Sequence, residues 1–439
     1  MKKLTLLSLA SLMSAASFAE GYQVNLLSAK QAGMGHVGTA MKLGAESMHF
    51  NPAGMAFMEG TADFSVGASG VFAKATYENT AKDYKHHSDN DVSTPMYMYA
   101  GFRVYDNLKA GIALTTPYGS GMNWGDNWRG ANLVQSISLK AFSLQPTIAW
   151  KVLDNFSVGA GAMIAYGNVD LSKALLMSNA YPQLGVSPDV ALASVRLKGK
   201  SKVRAGFNVG VLWDVNDQWS LGASYRSKIK MKVTSGEASL RYSSEKIQQL
   251  IENLPVIGAA LPKLDQGTFS SELPLPANLT VGASYRPISG LEIAMNVQMV
   301  GWKAYDFLNV NFNEADIQMF NQNLEKNYKS SMAVRLGAQY ALTPRFDVRA
   351  GIYYDQTPVD TDLYNPETPG MDKIGTSIGF SFKPFKGFSI DFAALYVAGL
   401  GNDGTYPMKN LLTGKEEPPF EGHYTTSAFS PTLGLSYSF

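Results

Sequence analysis

Residues 203–213 read VRAGFNVGVLW, and the meaning of that stretch decides the fold. In an extended chain Val203, Ala205, Phe207, Val209, Val211 and Trp213 fall on one face, and Arg204, Gly206, Asn208 and Gly210 on the other. The same alternation runs through Met332, Val334, Leu336, Ala338 and Tyr340, and through Ile374, Thr376, Ile378, Phe380 and Phe382. One apolar face and one face of small or polar residues suits a strand half-buried in a sandwich, or one facing lipid in a barrel.

Working outward, the number of such segments separates the two. They lie near 61–75, 93–105, 107–118, 133–151, 155–172, 201–213, 218–234, 272–286, 290–304, 330–342, 345–356, 373–385, 387–398 and 426–439, which makes fourteen. Short turns at 105–107, 153–155, 214–217, 287–290, 342–344 and 384–387 alternate with long loops such as 76–92, 173–200, 235–271 and 399–425. An even strand number, with short turns at one end and long loops at the other, is the outer-membrane pattern. The expected fold is therefore all-β, a 14-stranded antiparallel transmembrane β-barrel with both termini at the short-turn, periplasmic end. Leu433, Leu435, Tyr437 and Phe439 alternate up to the last residue, and are expected to close the barrel against the first strand. In a soluble sandwich they would form an aggregation-prone apolar edge. Trp150, Trp219, Tyr225, Tyr285 and Trp302 stand near strand ends as candidate girdle aromatics.

Residues 1–19 read as a secretory signal peptide, with Lys2 and Lys3, an apolar stretch from Leu4 to Ala16 and the cleavage pattern Ser17-Phe18-Ala19. Beyond it no run of eighteen apolar residues suggests a membrane helix. The net charge of +1 falls to −1 without the two lysines, which offers nucleic acid no global attraction. There is no cysteine, hence no disulfide and no thiolate metal site. The five histidines, His36, His49, His86, His87 and His423, form no nucleophile–base constellation and no G-x-S-x-G is present, so an enzyme is not expected. Neither a cofactor nor a metal is expected; the His86-His87 loop, with Asp83, Asp89 and Asp91, reads as a solvated loop.

Residues 20–60 belong to no hairpin. Within them HFNPAGMAF, residues 49–57, sets a turn between large apolar groups. A fourteen-stranded barrel is too wide for wall side chains to fill. Residues 20–60 are therefore expected as a plug, or hatch, in its lumen, with Phe50, Met55 and Phe57 against the inner wall and residues 61–439 forming the barrel. Two loops carry helical spacing: Ile247, Leu250, Ile251 and Leu254 within 243–254, and Ile317, Phe320 and Leu324 within 314–328. Both read as amphipathic helices on the extracellular side.

The stretch from Gly21 to Phe57 resembles the N-terminal hatch of the FadL-type outer-membrane transporters, a family that includes aromatic-hydrocarbon carriers. Tyr22, the glycines at Gly33, Gly35 and Gly38, and Asn51-Pro52-Ala53 carry the likeness, which extends to Phe439. The resemblance implies uptake of hydrophobic molecules, long-chain fatty acids foremost, with aromatic hydrocarbons the alternative and an adhesin or phage-receptor role another. It implies capture by loops 173–200, 235–271 and 305–329, with Ile247, Leu250 and Ile251 offering apolar surface. An interior pocket would touch Gly21 and Tyr22, and Glu20, Asn51, Pro52, Ala53 and Gly54 would belong to the gate. Pro117, Tyr118 and Gly119 fall where the family has a kinked strand and a lateral exit; Pro117 cannot donate to a ladder. Lys173 falls where fatty-acid-carrying relatives place a basic residue, with Lys326 or Lys329 as a second; lysine lacks arginine's bidentate fork. The partners expected are hydrophobic small molecules, outer-membrane lipid and lipopolysaccharide, around a monomer.

Overall fold

The computed structural model describes residues 21–181, 185–253, 257–409 and 416–439. The expected signal peptide and Glu20 lie outside them, as does Leu254 of the first helical pattern. Fourteen strands form a closed antiparallel ring: β1 Ala62–Ser69, β2 Met96–Tyr105, β3 Leu108–Asn123, β4 Ser136–Leu153, β5 Phe156–Met177, β6 Arg204–Asp214 and β7 Trp219–Arg226. The others are β8 Asn278–Tyr285, β9 Leu291–Val300, β10 Ser331–Thr343, β11 Phe346–Asp355, β12 Lys373–Phe382, β13 Phe388–Gly399 and β14 Glu416–Ser438. Each pairs with its sequence neighbours in the ring, and Asp63↔Ser438 through Ser69↔Thr432 join β1 to β14.

The alternation sorts as a barrel in lipid requires. In β6 Phe207 is 51% exposed while Asn208 is fully buried; Val209, Val211 and Trp213 face out, and Gly210 and Leu212 face in. In β12 Ile374, Ile378 and Phe380 face out while Ser377 and Ser381 are buried. Apolar groups outside and polar groups inside invert the arrangement of a soluble protein. Trp150, Trp219 and Tyr225 stand on the outer face, and the rings of Trp219 and Tyr285 stack 4.4 Å apart. Trp302 corrects the girdle expectation: it is fully buried, because β9 ends at Val300 and a 3-10 turn, Trp302–Ala304, takes the side chain off the strand's period.

The long loops also differ from expectation. Among the described residues they contain eight further strands, which continue the wall beyond the ring as a raised rim. Ala191–Lys200 pairs with the upper half of β5 and with Ile229–Tyr242, which pairs with Thr268–Leu275, which pairs with Phe307–Phe312. The expected single strands 218–234 and 272–286 are each broken, at residues 227–228 and 276–277, where the chain passes from ring to rim. Pro276 cannot donate to a ladder, which suits that break. One helical pattern forms a helix, Glu245–Glu252, whose start is capped by the Ser244 hydroxyl accepting from the Ile247 amide at 3.2 Å. The other does not: residues 314–328 hold a 3-10 stretch, Ala315–Phe320, and a short strand, Gln322–Glu325.

Candidate functional site

Residues 21–60 contact strands all round the ring, and so lie inside it. Tyr99 donates from its hydroxyl to the Leu27 carbonyl (2.9 Å), Gln145 to Met48 (2.6 Å), Ser157 to Ala53 (2.9 Å), and the Gly35 amide donates to Ser377 (2.9 Å). Asn51 opens the 3-10 stretch Pro52–Phe57: its side-chain oxygen accepts from the Ala53 amide at 3.1 Å. Its amide group donates to Thr39 (2.7 Å) and to Val211 of β6 (2.9 Å). The turn of Asn51, Pro52, Ala53 and Gly54 is wholly buried, as is Met55, whereas Phe50 and Phe57 are half-buried. Inner-wall glycines allow the close approach; a Cβ on Gly351 would run into the backbone of Met34 and Gly35.

At the start of this segment two separately predicted features meet. β3 carries a bulge, in which Thr115 pairs with Ser143 but Tyr118 with Ala141, so one residue too many stands on the β3 side. The carbonyl freed there turns inward: the Val24 amide donates to Pro117 (2.9 Å), and the Gly119 amide donates to Tyr22 (2.8 Å). Residues 22–24 thus add a short antiparallel bridge, Gln23↔Tyr118, on the inside of the kink. Tyr22 is 2% exposed. Its ring meets Trp302 edge-on at 4.7 Å and Tyr305 at 5.8 Å, and its hydroxyl donates to the Pro274 carbonyl. Gly21 holds φ +67°, and a Cβ there would stand 2.7 Å from the Trp302 ring.

Tyr22 lines a mostly apolar cavity of about 90 Å³. Its walls are upper β4 and β5 and the rim strands, through residues such as Leu139, Leu171, Met231, Phe269 and Leu273. A second, smaller cavity at the bulge is lined by Pro117, Tyr118, Phe142, Arg226 and Ile229. The polar groups at the first cavity are few. Glu367 lines it, and its carboxylate lies 2.7 Å from the Lys326 ammonium, both side chains almost wholly buried. Lys173 donates to Gln322 at 3.0 Å and does not itself line the cavity. It sits in the half of β5 that pairs with the rim, outside the membrane-spanning part, and burial pulls its ammonium down to about 8 while nearby Glu367 opposes the fall. Lys329 is exposed and pairs with Asp360 at 3.0 Å, away from this cluster. Lys140, across from Gly119 and Asn168, also lines the cavity, and the sequence reading did not single it out.

The three apolar residues assigned to capture do not reach this cavity. Ile247 and Ile251 are buried, the helix packing on a second one, Ile257–Leu264, and Leu250 is exposed. Nor do His86 and His87 form a centre: the His86 ring stacks on Trp128, and among the described residues no three His, Cys, Asp or Glu side chains are placed to hold a metal.

Comparison with known proteins fits this geometry. A family model described as "Outer membrane protein transport protein (OMPP1/FadL/TodX)" matches residues 10–439. The "Long-chain fatty acid transport protein" of Salmonella typhi is 22% identical over 418 residues, covering 91% of this chain and 93% of that protein. Among solved structures, a FadL homologue of Pseudomonas aeruginosa aligns with a TM-score of 0.78 at 20% identity, over 95% of this chain and 100% of the other. The toluene transporter TbuX of Ralstonia pickettii aligns with a TM-score of 0.68 at 19% identity, over 96% and 99%. At these identities the structural likeness is one of fold.

Proposed function

Since this chain belongs to the family of outer-membrane transport proteins described as OMPP1/FadL/TodX, we propose that the hydrophobic compound it carries is a long-chain fatty acid. The observation that carries the reading is the buried Lys326–Glu367 pair, with Lys173 nearby, beside a mostly apolar cavity that Glu367 lines. Lys173 and Lys326 supply two cations against the single carboxylate of Glu367, which leaves room for one further negative charge. The relative named for long-chain fatty acid transport supports the same substrate class.

In this reading the rim faces the cell exterior and takes ligand into the cavity. A chain of about fifteen methylenes gains roughly 12 kcal/mol on leaving water, at ~0.8 kcal/mol each, before ordering costs. Such affinity needs a release step. The short bridge between residues 22–24 and the bulge supplies a place for one: a ligand that displaces Tyr22 loosens the segment and uncovers the kink beside Pro117 and Tyr118. Exit is then sideways, through the cavity at the bulge, into the membrane. Asn51 to Gly54, tied to β5 and β6, are the fixed end of the segment, and Gly21 and Tyr22 its moving end.

A second reading has its own observation. Glu367, not Lys173 or Lys326, lines the cavity, and a carboxylate there favours a neutral cargo such as an aromatic hydrocarbon. The experiment is uptake of radiolabelled oleate by a host lacking its own transporter, with Lys173→Ala and toluene competition alongside. Oleate uptake that falls several-fold in the variant supports the fatty-acid reading. Entry of toluene without oleate supports the hydrocarbon reading, and entry of neither, with the barrel correctly assembled, removes both.

A further inference from the structure

The Glu367 carboxylate lines the cavity and faces the Lys326 ammonium at 2.7 Å. It reaches the cavity from the segment between β11 and β12, whose residues are held by a few hydrogen bonds, among them the Trp124 indole donating to the Pro366 carbonyl at 3.0 Å. The Glu367 amide donates to the Asn365 side chain at 2.9 Å, and Thr368 shares a 2.8 Å hydrogen bond with the Tyr328 hydroxyl. Its only charged contact within 4.0 Å among the described residues is Lys326. Lys173 has no carboxylate within that distance among the described residues, its hydrogen-bond partner being neutral Gln322. A lysine pair with one internal acid therefore stands beside a mostly apolar cavity.

We infer that Glu367 is a built-in stand-in for the headgroup: an anionic long-chain ligand binds by taking its place against Lys326, with Lys173 as the second cation, whereas a neutral long-chain ligand leaves the pair intact. The inference rests on the cavity being the transport site. It makes Glu367 the residue that sets selectivity between carboxylates and neutral molecules, because an incoming anion must exchange with a buried ion pair. The exchange also moves the segment that carries Glu367. That segment runs on to Pro369 and Gly370, which share a small cavity with Gly21. Headgroup arrival is thereby felt at the start of the chain that closes the kink.

The test compares oleate with 1-hexadecanol as ligands for the purified full-length barrel in detergent. Glu367→Gln is expected to bind oleate about tenfold more tightly, a change of about 1.4 kcal/mol, with hexadecanol unchanged. Adding Lys326→Met to Glu367→Gln is expected to abolish that gain, whereas adding Lys151→Gln, at a short turn beside Asp154 and outside the cavity lining, leaves it in place. Should Glu367→Gln fail to fold, a fluorophore at Asp362→Cys, an exposed site in a chain without native cysteine, reads the same event. Its emission is expected to shift with oleate and not with hexadecanol. Unchanged or weaker oleate binding by Glu367→Gln, or equal shifts with both ligands, overturns the inference while leaving the transport site intact. If the unmodified barrel binds neither ligand in the cavity, the transport reading fails and takes the inference with it.

Discussion

Lys173 shows what burial does to a single charge. Its ammonium titrates near 8, below the ordinary lysine value, because burial disfavours the charged form. A carboxylate ligand that relies on that charge is held fully below this pH and loses its partner as pH rises through it. Oleate affinity is expected to fall by up to about tenfold per pH unit above 8, with hexadecanol flat and the step absent in Lys173→Met; titrated binding curves check this. Gly21 is the second informative residue. An alanine there must hold φ +67°, at a cost of roughly 1–2 kcal/mol, and crowd the Trp302 ring. Limited proteolysis at Lys30 or Lys42 is expected to quicken by about 5–30-fold in Gly21→Ala. At this scale the sequence was informative where a residue type has a mechanical meaning, as with Pro117 in a ladder. It named Lys326 but was silent on its partner Glu367, because residues paired across a barrel leave no periodic trace. Trp302 misled because strand periodicity was carried past the strand's end at Val300.

Among the elements, the bulge in β3 and the bridge laid against it form one unit. The hydrogen bonds from Val24 and Gly119 flank Gln23 and Tyr118, which places that pair at the close spacing of a non-hydrogen-bonded position, about 4.5 Å between Cα atoms. That spacing suits a disulfide. Gln23→Cys/Tyr118→Cys is expected to lose most oleate uptake when oxidised and to regain it on reduction, in an otherwise cysteine-free protein; uptake unaffected by oxidation would count against a moving N-terminal segment. The wall strands were legible because alternation and turn residues act locally. Their breaks were less so, since the apolar alternation of Ile229, Met231 and Val233 continues unchanged from ring to rim. The rim strands wall the cavity, so reading them as loops hid most of its lining. The pattern Ile317, Phe320 and Leu324 fits a helix as well as a 3-10 turn followed by a strand, and the second formed.

The whole molecule rests on an apolar belt turned outward to lipid. Ile378, 66% exposed in the middle of β12, lies on that belt, and arginine there is expected to cost about 2–4 kcal/mol. Reversible folding into lipid vesicles, followed by guanidinium titration of Ile378→Arg, measures it; a shift below 1 kcal/mol would mean that the outer face does not meet hydrocarbon. Closure of the ring has a consequence for biogenesis. β1 is zipped along its length to β14, with the Ala62 amide donating to the Phe439 carbonyl at 3.0 Å. Residues 21–60 lie directly ahead of β1 and inside the finished ring. The seam joins the first and last strands of the ring, a contact of very large sequence separation and a slow step for any chain. Until that seam shuts, the future contents of the lumen have no container. Residues 21–60, joined directly to β1, are therefore expected to be wrapped by the closing wall rather than threaded into a finished pore.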